Sequence, residues 1–166
     1  MTTSERQVGV SDGNVVLDLF VLQQRIAELM ELALDGTDVR PAEYAVYSQL
    51  GIAPMTPRDL GARLGVTPST MTGHLAALAR RGHVRKVAQA EDRRSYRVEL
   101  TASGRRTLEI CRTGFRAMLA RLETGLPVPA SEVRAVLAGV ERTAAGVAAD
   151  LRAEVRRPQA AARPGR

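Results

Sequence analysis

Downstream of Thr67 the chain gathers short side chains that can hydrogen-bond: Ser69, Thr70, Thr72 and His74, with Gly73 among them and Arg80 further on. Hydroxyls and an imidazole at this spacing can reach base edges or phosphate oxygens, and a glycine lets another molecule come close. Further along, Asp92, Arg93 and Arg94 stand together in a short polar stretch. An arginine at a loop tip can enter a narrow minor groove, where negative potential is concentrated. Asp92 can pair with Arg94 and hold its guanidinium in one orientation, which lowers the side-chain entropy lost on docking. Blander readings exist: a surface helix that is merely rich in small residues, and a solvated turn whose ion pair is worth roughly 0–1 kcal/mol. Against the first, a surface helix usually carries long Glu and Lys side chains, and a mid-helix glycine costs about 1 kcal/mol relative to alanine.

Catalytic chemistry is poorly provided for. The two histidines both lie in the central third, Cys111 is the one cysteine, and there is no phosphate-cradling glycine loop or metal-ligand spacing. No catalytic residue, cofactor or metal ion is expected, and the chain does not read as an enzyme.

Charge points the same way. The chain carries net charge +6 over 166 residues, and between Thr56 and Arg106 there are 11 basic and 4 acidic residues against 13 and 14 elsewhere. The positive excess is therefore confined to one third of the chain, which predicts an anionic partner for that third. No apolar run approaches the ~20 residues that would cross a bilayer, and the first residues lack the layout of a signal peptide. A single cysteine suits a reducing compartment, so a cytoplasmic protein is expected.

The elements that must position these residues follow from periodicity and punctuation. Val15, Leu19, Leu22, Ile26, Leu29 and Ala33 step by four and three, which predicts a long amphipathic helix from Asn14 to Leu34. A short helix enters through Pro41. Thr56-Pro57 and Thr67-Pro68 each begin a further helix, with threonine as N-cap and proline at the first helical position. Asp59 makes the first of these starts a near capping box. Only Gly65, Val66 and Thr67 separate this pair, a helix-turn-helix spacing, and Gly82 ends the second. In that second helix Met71, Leu75 and Leu78 should pack inward, leaving Ser69, Thr70, Gly73, Ala77 and Arg80 outward. "HVRKVA" and "SYRVEL" alternate at period two around "QAEDRR" and predict a hairpin with a charged tip. Thr101 should cap a helix with the stripe Leu108, Cys111, Phe115, Met118 and Leu122. The last helix, Ser131 to about Arg156, carries Val133, Leu137, Val140, Ala144, Val147 and Leu151.

The expected class is mainly α with a small β-hairpin: a winged helix-turn-helix domain flanked by long dimerisation helices. Its expected divisions are a flexible N-terminus (1–13), an N-terminal dimerisation helix and linker (14–40), the DNA-binding domain (41–101), C-terminal dimerisation helices (102–156) and a disordered basic tail (157–166). The stripes of the outer helices predict a bundle shared between two chains, the blander alternative being a bundle within one chain, with Gly139, Ala144 and Gly146 allowing close packing. A homodimer would set two recognition helices about 34 Å apart, one turn of DNA.

The order of elements, and the motif "DLGARLGVTPSTMTGHLAALARRGHVRKVAQAEDRRSYRVELTASG", resemble the MarR family (multiple antibiotic resistance regulators) of winged helix-turn-helix transcription factors. The family's wing motif is matched by Asp92, Arg94, Val98, Leu100, Thr101 and Gly104. The resemblance implies a cytoplasmic homodimer that binds a near-palindromic operator, usually represses, and in many members is released by a small, often phenolic, ligand. One departure is His83, where the family more often has an apolar residue; it is expected as a partly exposed strand residue. The family's peroxide-sensing cysteine lies near the start of the first helix, and Cys111 does not; Cys111 in an apolar stripe reads as a small hydrophobe.

For an effector, Arg25, Arg40, Tyr44 and Tyr47 stand near the junctions where the family's pocket lies. They could hold a small anionic or phenolic ligand by a charge-assisted bond and ring packing. The rival reading of the whole chain is a winged-helix module for protein contact alone, which would not need basic charge focused on helix and wing.

Overall fold

The computed structural model describes residues 8–88 and 96–156. Six helices and one hairpin appear in the order α1 (Val15–Ala33), α2 (Pro41–Leu50), α3 (Pro57–Leu64), α4 (Pro68–Arg80), β1 (Val84–Ala88), β2 (Tyr96–Leu100), α5 (Ala102–Thr124) and α6 (Ala130–Arg156). The chain divides into two compact units, Met1–Ala120 and Arg121–Arg166.

Helix starts are where short polar side chains can satisfy free N–H groups. The Asn14 side chain accepts from the N–H groups of Val16 and Leu17, and the Thr56 and Thr67 hydroxyls accept from Asp59 and Thr70. The expected capping box at Thr56 takes a different form: the Asp59 carboxylate accepts from the Thr56 hydroxyl at 2.9 Å rather than reaching the cap's backbone. Helix α4 ends in a Schellman motif. Gly82, at φ 69, donates its N–H to Ala79 at 2.9 Å, and His83 donates to Leu78 at 3.0 Å.

The hairpin is antiparallel, with Val84 opposite Leu100 and Ala88 opposite Tyr96. Met55 adds a one-residue bridge to Val98, with N–H···O distances of 3.1 and 2.8 Å. Met71, Leu75 and Leu78 of α4 are buried together with Leu60, Val84, Val98, Leu100, Leu108 and Cys111, so one apolar core ties the two helices, the hairpin and α5 together. By contrast α1 contains no buried residue, and none of the described side chains of α6 is buried.

Candidate nucleic-acid interface

The turn between α3 and α4 decides which way α4 faces. Gly65 takes φ 64, a conformation costly for any residue with a Cβ, and Thr67 then caps α4 in extended geometry. With Met71, Leu75 and Leu78 held in the core, the opposite face is set by helical geometry. Thr67, Ser69, Thr70, Thr72, Gly73 and Arg80 are exposed, and His74 is half-buried at the margin. The structure thus brings the predicted recognition residues onto one helix and largely onto its outer face.

Their hydroxyls are already ordered. Thr67 Oγ1 lies 3.0 Å from Ser69 Oγ and 2.8 Å from Thr70 Oγ1, and Thr72 donates to the Pro68 carbonyl at 2.8 Å. Oxygens held in this way keep lone pairs for an outside donor while losing little entropy on binding. The N-terminus of α4 also presents the Ser69 backbone N–H and the positive end of the helix dipole, both favourable to a phosphate, although Pro68 has no N–H and Thr67 takes that of Thr70. Gly73 has no packing reason within the described chain, because a Cβ built there meets nothing within 4 Å.

Asp92, Arg93 and Arg94 lie outside the described residues. The hairpin that carries them does not, and its base has features that the sequence reading missed. On one face Arg85 pairs with Glu99 at 2.6 Å; on the other the Lys86 ammonium stands 4.6 Å from the centre of the Tyr96 ring. Strict alternation from Val84 already puts Lys86 on the core-facing side of β1, and that was the available signal. Lys86 and Tyr96 line a groove of about 270 Å³ with Thr72, Leu75 and Ala79 of α4.

The four effector candidates are spread out. Arg25 is exposed and pairs with Glu28 at 2.7 Å; Arg40 is the exposed residue before α2. Tyr44 is buried with its ring 4.7 Å from that of Phe115, and Tyr47 is fully buried. The Tyr47 hydroxyl meets His83 Nδ1 at 2.5 Å. This corrects the expectation for His83: it precedes β1 rather than belonging to it, and its side chain turns toward α2. Beside it, Arg81 grips the buried Glu43 carboxylate with two nitrogens at 2.7 and 3.2 Å. Burial alone would raise the Glu43 pKa, but the Arg40 N–H and the Arg81 guanidinium outweigh it and hold the carboxyl below its ordinary range. Burial pushes the Cys111 thiol up, toward the unreactive protonated form. Among the described residues no three His, Cys, Asp or Glu side chains gather as a metal site requires, and no helix is long and apolar enough to cross a membrane.

Comparison with known proteins agrees with this geometry. A MarR family model matches residues 37–95, the stretch from the turn before α2 to the hairpin. The HTH-type transcriptional repressor YetL of Bacillus subtilis (strain 168) is 31% identical over 124 residues, which are 73% of this chain and 66% of the repressor. The chain thus spans about two thirds of that relative's length. A probable transcriptional regulator from Pseudomonas aeruginosa superposes with a TM-score of 0.70 at 25% identity, covering 78% of this chain and 98% of that one. Streptococcus pneumoniae FabT, solved in complex with DNA, gives a TM-score of 0.59 at 26% identity over 80% of this chain and 94% of its own. With the helix-turn-helix, the hairpin and these matches agreeing, the chain belongs to the MarR family of winged helix-turn-helix transcriptional regulators.

Proposed function

We propose that this regulator binds a near-palindromic operator as a homodimer and represses transcription until a small anionic or phenolic ligand releases it. Helix α4 enters the major groove; Ser69, Thr70, Thr72 and His74 face base edges, and Thr67 with the α4 N-terminus meets a phosphate. Arg93 and Arg94 reach the minor groove beside it, oriented by Asp92. The observation that carries this reading is the ordered, small-residue outer face of α4, with Gly73 open to solvent and unexplained by internal packing. A dimer is supported by the exposed apolar side chains of α1 and α6: Val16 is 73% and Phe20 58% exposed, as are Val136 at 66% and Leu151 at 55%. The ligand would engage the exposed Arg25 and Arg40 near Tyr44, while Tyr47, fully buried against His83, is left to the core.

A salt titration tests the core of the proposal. With about six phosphate contacts, affinity for genomic fragments selected by the protein should fall on the order of 10³-fold or more between about 50 and 200 mM salt. A shallow salt dependence, or no DNA bound at all, would favour a protein-contact module instead. Calorimetry with benzoate-like compounds against Arg25→Ala and Arg40→Ala tests the ligand: heats equal to those of the parent remove those residues from the site.

A further inference from the structure

His83 occupies a junction that the DNA-contact scheme does not use. Its backbone N–H closes α4 on Leu78, and its carbonyl accepts from the Thr101 N–H at 3.0 Å. The Thr101 hydroxyl donates to the neighbouring Gly82 carbonyl at 2.7 Å. At Gly104 of α5 the backbones touch, since a Cβ there would stand 2.1 Å from the His83 oxygen. The imidazole then reaches Tyr47 of α2, 36 positions earlier in the chain. One residue therefore links α2, the end of α4, the entry to β1 and the start of α5.

The chemistry of the side-chain link depends on protonation. Tyr47 is fully buried and burial raises its pKa, so it keeps its O–H, which donates to Nδ1 in one tautomer of the ring. That requires a neutral ring with its proton on Nε2. A protonated ring turns Nδ1 into a donor: the Tyr47 oxygen, toward which Arg81 already donates, must then accept from the ring as well, and its own hydrogen loses Nδ1 as its acceptor. The charged and titratable neighbours are Glu43 and Tyr47 from α2, Arg81 at the end of α4 and, against Tyr47, Cys111 from α5. Glu43 would favour the imidazolium, but its two oxygens are already taken by Arg81 and the Arg40 N–H. Burial and then Arg81 outweigh it, so the ring titrates below its ordinary value of 6.5.

We propose that His83 is a positioning residue for DNA recognition: its neutral ring joins the Arg81–Glu43 pair in holding the end of α4 to α2, and protonation loosens that hold and weakens DNA binding. The inference rests on the DNA-binding reading above. The sign follows from the lowered pKa: the latch is complete above about 6.5 and is lost as pH falls through the lowered value.

The test measures affinity of the full chain for one self-selected genomic duplex by fluorescence anisotropy at about pH 7.5 and again below the midpoint of the His83 ring's own titration, read by NMR. His74, the other imidazole, contributes equally to parent and variants, so the comparison isolates His83. The parent should lose about five-fold more affinity on acidification than His83→Gln, the factor expected from one hydrogen bond of ordinary net strength. Tyr47→Phe keeps the core ring, removes the hydroxyl and should behave like His83→Gln. NMR of the DNA-free chain supplies a readout independent of DNA: the Leu78, Gly82 and Thr101 amides should titrate with the His83 ring. Those amides moving while no duplex binds at any pH would sink the DNA-binding reading and keep the latch. Equal acid losses in parent and both variants, or amides that ignore the ring's titration, overturn the latch itself.

Discussion

Gly73 sets two demands against each other at a single position. In the free chain it costs helix stability for no visible internal return, since a methyl group there has open space. Gly73→Ala should therefore stabilise the fold by about 1 kcal/mol in a denaturant melt while weakening DNA binding in a gel shift, because the added Cβ faces the groove. Unchanged binding would mean that this face is not closely approached. Base readout and backbone grip should also separate. Thr70→Ala or His74→Ala should relax sequence preference in a binding selection, whereas Arg94→Ala should lower affinity most at A·T-rich flanks. Glu43 is a residue of stability rather than recognition. Its carboxyl is held below its ordinary value of 4.5, so its contribution is present above that pH and lost as pH falls through the lowered value. Glu43→Gln should cost about 1–3 kcal/mol near neutral pH, because Arg81 is left with a weaker acceptor, and should flatten the acid limb of the stability curve. An acid limb unchanged from the parent would move that titration elsewhere.

At the scale of elements, what could be read from the sequence was what local chemistry dictates. The Thr-Pro starts of α3 and α4 and the glycines that follow them, Gly65 and Gly82, are each signals carried by one or two residues, and the structure keeps each of them. The inward set Met71, Leu75, Leu78 was legible because helical period alone sorts it. Contacts between elements were not. Nothing in the neighbourhood of Tyr47 announces His83, and an apolar stripe does not say which tyrosine turns inward, so Tyr47 read as a ligand candidate and emerges as a buried partner of His83. The glycines of α5 show the same limit. Gly104 and Gly73 look alike in sequence, yet a Cβ at Gly104 would collide with the His83 carbonyl, and one at Gly114 would stand 2.2 Å from the Ala33 oxygen. The same substitution should therefore act in opposite directions: Gly104→Ala should destabilise by about 1–3 kcal/mol, the usual cost of overpacking, where Gly73→Ala stabilises. Parallel thermal melts decide it, and a Gly104→Ala protein as stable as the parent would show that α5 is free to shift away from the loop.

At the scale of the whole molecule the open question is what covers the apolar faces of the outer helices. In the last helix Leu137, Val147 and Leu151 are 44, 53 and 55% exposed, spaced so that they recur along one side. Burying each such side chain against a partner stabilises by about 1.5–3 kcal/mol, and a second copy of the chain is the partner that the proposed near-palindromic operator would call for. Leu137→Asp combined with Leu151→Asp should place two charges in that seam and yield a monomer by light scattering, with α4 and its caps untouched. A monomer retains one recognition helix and one wing, so the slope of log affinity against log salt, which counts neutralised phosphates, should fall to about half. Affinity for a two-site operator should drop by 10²-fold or more, roughly the gain that linking two sites provides, while affinity for an isolated half-site changes little. The two readings of a weak variant are then separable: halved slope with intact half-site binding indicates a lost dimer, and collapse of both indicates a damaged DNA-binding lobe. A variant that stays dimeric at the parent's full slope would place the seam on α1 and the outer face of α5 instead.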